Sequence, residues 1–361
     1  MDLKKIGFFI TSHGFGHASR ASAVMEAIGA LIPSTHFHIF TEVPHWFFLE
    51  SLRRQFVYHI VKTDVGLVQE SPMVVDLKAT VAELNAFFPF SENRLSEIRT
   101  LIEQTECDII LCDISPLGIA ISNSLDIPSI LIENFTWDWI YRGYVEAEFE
   151  IDKNIPYLEA LFNSASYLIQ SCPVCVRKKS VDLVTNPISR TPKMTRIQVR
   201  EKLNIEDDRA MVLMTMGGIV EQYPAMGELA KRKDCIFVIP GSAIKETRQG
   251  NLILIPHHSG YFHPDLVYAS DVVIGKSGYS TLAEVYYAGI PFGYLSRPMF
   301  RESGVLAEFI NRKMSGVEIQ RSDFDNGNWI TQLDELLNLP RIERDRTNGA
   351  DQIAKFLFER F

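Results

Sequence analysis

No stretch of 18 apolar residues occurs in the 361-residue chain, so the sequence predicts no membrane-spanning helix. Basic residues are in deficit, with 36 Lys and Arg against 45 Asp and Glu, a formal net charge of −9. A nucleic-acid surface needs clustered positive charge, so no nucleic-acid partner is expected. Cysteine is scarce. Five residues, Cys107, Cys112, Cys172, Cys175 and Cys235, suit a reducing cytoplasm. Cys172-Pro173-Val174-Cys175 has redox spacing but lacks the helix-start setting of a redox motif, and two thiols cannot complete a four-ligand zinc site. Low-complexity tracts and short tandem repeats are absent, as is a dinucleotide fingerprint, because Ala18 and Ser19 follow His17. Gly217-Gly218 is followed by no Walker lysine.

What is present is ordinary globular composition: 46% hydrophobic and 22% charged residues, in a length that suits two domains. The opening apolar run covers only residues 6–10 before Gly14 and Gly16, and reads as a first strand rather than a signal peptide. Short continuous apolar runs at 6–11, 36–40, 57–61, 109–112, 129–132 and 167–170 predict parallel strands covered on both faces. Amphipathic stretches between them predict helices at 18–32, 73–105, 116–125, 137–150 and 155–163, with Pro89 splitting the longest. A polar, proline-bearing segment from Asn186 leads to a helix capped by Thr195. The pattern then restarts, with strands at 210–216, 235–239, 251–255, 271–274 and 292–295 and helices at 223–232, 261–269, 280–288 and 304–311. The expected domains are residues 1–186, residues 187–345, and a closing helix at 346–361 that returns to the first domain. The fold class is α/β: two Rossmann-like, doubly wound parallel sheets, expected to face a cleft.

Each half carries a glycine-rich strand-to-helix turn. In the first, Ser12-His13-Gly14-Phe15-Gly16-His17 places two histidines where a backbone turn lets a ligand approach closely. His17 stands at the helix start and is a candidate base, and His13 is a second. The alternative is that His17 packs or caps the turn. Arg20, one turn in, reaches a phosphate or forms a structural ion pair. Asp113 ends a predicted strand, where an acid faces the ligand side of a parallel sheet; it orients a histidine or activates a hydroxyl, or else forms an Asx-turn or helix cap. Glu133 and Asn134 end the next strand at the same rim.

In the second half, Gly275-Lys276-Ser277-Gly278-Tyr279-Ser280-Thr281 combines glycines, hydroxyls and a cation at a strand-to-helix turn. Amides from Ser277 to Ser280 are expected to bind a diphosphate. Glu284, one turn on, suits two ribose hydroxyls. Gly217 and Gly218 supply further amides, and Arg301 and Glu302 open another helix as candidate sugar contacts. His257, His258 and His263 lack an accompanying acid or cysteine set, so no metal site is expected; a loop over a nucleobase is the reading.

These residues resemble the GT-B glycosyltransferases, especially the MurG-like, glycosyltransferase family 28 group with a GFGHxxR start. Residues 14–20 resemble the family's Gly-Gly-His turn, with Phe15 where a small residue is usual, which alters acceptor access. Residues 275–289 resemble its donor motif, and 298–308 do so more weakly. The resemblance implies a metal-independent hexosyltransferase with no cofactor. Its substrates would be a nucleotide-sugar, often a UDP-sugar, and a hydroxyl acceptor: a glycan, a lipid-linked molecule or a small molecule. A nucleotide-sugar 2-epimerase and a non-catalytic nucleotide-sugar-binding protein are the alternatives. The implied place is the cytoplasm or the inner membrane surface. The aromatic run at 135–144, broken by Asp138 and Arg142, leaves peripheral membrane contact open.

Overall fold

The computed structural model describes residues 5–71, 74–206, 208–217, 223, 225–344 and 347–361. The chain divides into two compact units, Met1–Ser189 with Thr347–Phe361, and Arg190–Arg346.

The first unit contains strands β1 (Lys5–Ile10), β2 (His36–Thr41), β3 (Phe56–Ile60), β4 (Gln69–Ser71), β5 (Val74–Val75), β6 (Ile109–Asp113), β7 (Ser129–Glu133), β8 (Tyr167–Ser171) and β9 (Leu183–Thr185). Its helices are α1 (Gly16–Leu31), α2 (His45–Ser51), α3 (Leu77–Phe87), α4 (Glu92–Thr105), α5 (Pro116–Leu125), α6 (Trp137–Arg142) and α7 (Ile155–Asn163). Seven strands form one sheet in the order β3-β2-β1-β6-β7-β8-β9, every pairing parallel, while β4 and β5 form a small separate hairpin. β1, β6 and β7 are buried almost throughout, as their unbroken apolar runs require when helices cover both faces.

The second unit begins with α8 (Arg196–Lys202) and contains β10 (Ala210–Thr215), α9 (Met226–Leu229), β11 (Cys235–Pro240), β12 (Thr247–Gln249), β13 (Leu252–Ile255), α10 (His263–Ala269), β14 (Val272–Lys276), α11 (Tyr279–Ala288), β15 (Phe292–Leu295), α12 (Glu302–Lys313), β16 (Gly316–Glu318), α13 (Arg321–Asn326) and α14 (Leu333–Asn338). Its sheet runs β12-β13-β11-β10-β14-β15-β16, with only the edge strand β12 antiparallel. The last helix, α15 (Gly349–Arg360), belongs to the first unit and packs on α1.

Local chemistry explains most boundaries. Thr195 and Gln198 form a reciprocal capping box at the start of α8. Asp76, Ser91 and Asn348 cap α3, α4 and α15 with side-chain oxygens. Pro89 divides the long helical stretch as expected, and the preceding Phe88 is extended (φ −118°, ψ 146°). Two expected helices are shorter than the pattern implied. The stretch beginning at Trp137 stops at Arg142, where Gly143 follows, and resumes only as a 3₁₀ turn at Phe149–Asn154. The stretch expected at 223–232 reduces to the four residues of α9, which contains Gly227. No helix among the described residues is long and apolar enough to cross a membrane.

Candidate functional site

In an open parallel sheet, a ligand crevice forms where strand order reverses, outside the carboxyl ends of the strands. In the first unit that point lies between β1 and β6, and Ile10 of β1 pairs in register with Asp113 of β6. The turn after Ile10 leads into α1, so His17 and Arg20 rise on successive turns of one helix beside the end of β6.

There they close on Asp113. His17 Nδ1 lies 2.7 Å from Asp113 Oδ1. Arg20 grips the same carboxylate with two donors, Nε to Oδ2 and Nη2 to Oδ1, each at 2.7 Å. Arg20 Nη1 donates to Asn134 Oδ1 at 2.7 Å and reaches Ser171 Oγ at 3.5 Å. Asp113 is fully buried and Arg20 is 1% exposed, whereas the His17 side chain keeps 11% of its surface. Burial alone would raise the Asp113 carboxyl, but the charge and hydrogen bonds of Arg20, together with His17, hold it below the usual carboxylate range. The bond through Nδ1 leaves Nε2 of His17 as the nitrogen for a ligand.

Two alternatives that the sequence left open close here. Of the two readings of Arg20, phosphate contact or structural ion pair, the structure has the ion pair: every nitrogen of its guanidinium is engaged with Asp113, Asn134 or Ser171 inside the protein. The histidine that Asp113 orients is His17. His13 instead stands edge-on to Trp137, with ring centroids 5.2 Å apart, and packs beside Gly66. Phe15 stacks on Phe47 at 5.1 Å and meets Trp46 edge-on, so the bulky residue between Gly14 and Gly16 joins an aromatic wall.

The rim continues along β7. Glu133 accepts from Gln170 Nε2 at 2.7 Å, and Asn134 O accepts the amide of Cys175 at 2.8 Å. Burial pushes Glu133 up to about 7, against the lowering effects of Gln170, Lys178 and Arg20. Its folded value lies above its unfolded one. The associated stability is therefore complete below the ordinary glutamate range and is lost as pH rises through about 7. Glu133→Gln is expected to stabilise the fold at pH 8 by about 3 kcal/mol and to change nothing at pH 4. Calorimetric melting at both pH values checks this. In the nearby Cys172–Cys175 loop, burial raises the Cys172 thiol, the opposite of an activated redox cysteine.

In the second unit the strand order reverses between β10 and β14, and Thr215 pairs with Gly275. A Cβ on Gly275 would lie 2.2 Å from Thr215 O, so only glycine fits this approach. Gly217 follows β10 with φ +74°, and a Cβ built there would lie 3.6 Å from Lys276 Nζ. The lysine ammonium thus sits over the Gly217 turn. Gly218 lies outside the described residues.

The helix start differs from expectation in one respect. Ser277 N–H donates to Leu295 O at 2.9 Å, and Gly278 N–H donates to Lys276 O at 2.8 Å. Ser277 is fully buried, with its hydroxyl bonded to Leu295 O and Ser303 Oγ. Ser277 and Gly278 therefore brace the turn instead of offering donors. Tyr279, Ser280 and Thr281 form the first turn of α11, where no side chain caps the helix.

Glu284 lies one turn further and is already paired. Its Oε1 accepts from Arg190 Nε (3.1 Å) and Nη2 (2.9 Å), and its Oε2 lies 2.6 Å from His263 Nδ1. His263 Nε2 is 3.1 Å from Thr215 Oγ1. Burial acts to raise Glu284, but Arg190 and His263 outweigh it and the carboxyl is held low. Two arginine donors fill Oε1, so Glu284 does not have both oxygens open for a ribose, as the sequence suggested. His263 belongs to this chain of bonds rather than to a loop over a base. Arg301 is exposed at the start of α12, and Glu302 beside it is buried.

The sequence reading missed Asp64, Ser171, Thr215 and Arg190. Asp64 follows β3 and takes the Trp137 indole Nε1 on Oδ2 at 2.8 Å. Its signal was the one that exposed Asp113: an acid just beyond a parallel strand. Among the described residues, no group of three His, Cys, Asp or Glu side chains is placed to hold a metal ion.

Two parallel α/β sheets with these turns define a GT-B glycosyltransferase architecture. The family model for glycosyl transferase family 1 matches residues 4–337, and the chain belongs to that family. It is 27% identical over 358 residues to the L-arabinokinase of Arabidopsis thaliana; the match covers 98% of this chain and 34% of that protein. The chain thus spans about a third of the length of this curated relative. The solved structure of the glycotransferase of kitacinnamycin superposes with a TM-score of 0.67 at 14% identity, covering 98% of each chain. UGT89C1 of Arabidopsis thaliana, complexed with UDP-L-rhamnose, superposes at 0.62 and 12% identity over 98% of this chain and 92% of its own.

Proposed function

We propose that this chain transfers a sugar from a nucleoside-diphosphate sugar, a UDP-sugar in the first instance, to a hydroxyl acceptor. The observation that carries the reading is the His17–Asp113 pair at 2.7 Å, locked from behind by Arg20. Membership in a glycosyltransferase family supports the reaction class, and UDP-L-rhamnose in the UGT89C1 complex supports the donor class. His17 Nε2 takes the acceptor proton as its oxygen bonds to the anomeric carbon and the bond to the diphosphate breaks. Asp113 fixes the tautomer and Arg20 fixes Asp113. Residues 187–345 supply the donor side. Lys276, the Gly217 turn and the first amides of α11 meet the charge that develops on the leaving diphosphate, with no metal required in this reading. Glu284 keeps an acceptor position on Oε2 for one ribose hydroxyl.

Release of UDP from UDP-sugars in the presence of candidate acceptors tests the function. Turnover dependent on acceptor supports transfer. Interconversion of C2-epimeric donors without acceptor would indicate an epimerase, and donor binding without turnover a binding module. Glu284→Gln is expected to weaken UDP at least about tenfold while leaving inorganic pyrophosphate unchanged. Equal weakening of both ligands would remove Glu284 from the ribose role.

A further inference from the structure

The charges around His17 do not balance if Asp113 alone supports it. Arg20 and Asp113 cancel each other through two short bonds. When His17 takes a proton, it adds a positive charge beside a neutral pair. A further anion would stabilise that charge, and Asp64 is bonded to Trp137, the ring that stands beside His17.

Asp64 lies in the loop after β3 and is 3% exposed. Its bond to the Trp137 indole holds a ring that stands 6.5 Å from the His17 ring and 5.2 Å from that of His13. The loop is pinned on both sides of Asp64: Thr63 Oγ1 donates to Ile10 O at 3.0 Å, and Tyr141 Oη donates to Gly66 O at 3.0 Å. Among the described residues no guanidinium or ammonium pairs with this carboxylate, in contrast to Asp113. We propose that Asp64 is a positioning residue for the transfer reaction, supplying a net negative charge behind Trp137 and setting that ring against His17. The proposal rests on the reading of His17 as the base.

The ionisable groups that face Asp64 are His17 of α1, Asp113 of β6, Tyr141 of α6 and, across Trp137, His13. Burial drives its carboxyl upward and Asp113 adds to this; Thr11, Trp137 and His17 oppose it, leaving it at about 6. Near neutral pH the buried group is largely ionised, at a cost to the fold. By the sign of that shift, stability is complete below the ordinary aspartate range and is lost as pH rises through about 6. An asparagine keeps an oxygen for the indole and removes the charge. A residue whose neutral isostere stabilises the protein but impairs turnover is one retained for activity.

Three full-length proteins provide the test: wild type, Asp64→Asn and His17→Gln, each labelled with ¹³C-histidine. The resonance lost in His17→Gln identifies His17. In Asp64→Asn, His17 is expected to titrate about one pH unit lower, with the acid limb of kcat shifted the same way. Turnover at pH 7 is expected to fall at least about tenfold, and melting at pH 8 to occur no lower than in wild type. In wild type, the His17 signal should also show a second step near pH 6, which requires no variant to fold. An unchanged His17 titration in folded Asp64→Asn, or a single-step curve in wild type, overturns the assignment of Asp64. Full turnover in His17→Gln overturns the base itself, a separate failure.

Discussion

Replacing His17 by Ala is expected to lower kcat by about 10²–10⁴-fold, while UDP affinity stays within about twofold of wild type. The asymmetry follows from position. His17 bonds Asp113 through Nδ1 and belongs to the unit that carries none of the proposed phosphate contacts. Losing its imidazole removes the group that receives the acceptor proton. It leaves Lys276, the Gly217 turn and the start of α11 untouched. Asp113 keeps both Arg20 bonds, so the fold should tolerate the change. Steady-state release of UDP, measured with calorimetric UDP binding on the same protein, separates the two effects. Equal losses in turnover and affinity would mean that His17 holds the donor instead.

The second large effect is on stability. Arg20→Met leaves Asp113 buried without its cation, and breaking such a pair costs about 3–5 kcal/mol. For a unit of this size, that lowers the melting temperature by roughly 6–20 °C. The loss should depend on pH with a definite sign. Arg20 holds the Asp113 carboxyl low, so the stability it confers is present above the ordinary aspartate range and disappears as pH falls through the folded value. Wild type and Arg20→Met should therefore converge in acid. Arg20→Met combined with Asp113→Asn should recover much of the loss at neutral pH, because no uncompensated charge remains. A double variant no more stable than Arg20→Met alone would mean that the guanidinium acts through packing and through Asn134.

The sheets were legible in the sequence because fully buried parallel strands must be unbroken apolar runs, as 6–10 and 109–112 are. The edge strands β9, β12 and β16 were not, since three residues at a sheet edge need no such run. The positions of His17, Asp113 and Lys276 were legible for a related reason: each sits at a strand end or helix start, where local pattern fixes direction. Partners were harder to read. Arg20 stayed open between a ligand contact and an ion pair because spacing places it on the right face of α1 but says nothing of Asn134, 114 residues away. Arg190 and Glu284 meet across 94 residues and left no local trace. The use of the Ser277 amide by Leu295 depends on how β15 lies beside β14. That is a property of the sheet rather than of the glycine turn.

Everything in the transfer reading requires the second unit to hold a nucleoside diphosphate through its phosphates. Calorimetric titration of the full chain with UDP, UMP and uridine, repeated with Lys276→Met, tests this most directly. UDP is expected to bind well above UMP, uridine weakest, and Lys276→Met to lose roughly ten- to a hundredfold for UDP with little change for uridine. Failure to bind UDP or any other nucleoside diphosphate, or UDP affinity unaffected by Lys276→Met, would contradict the account.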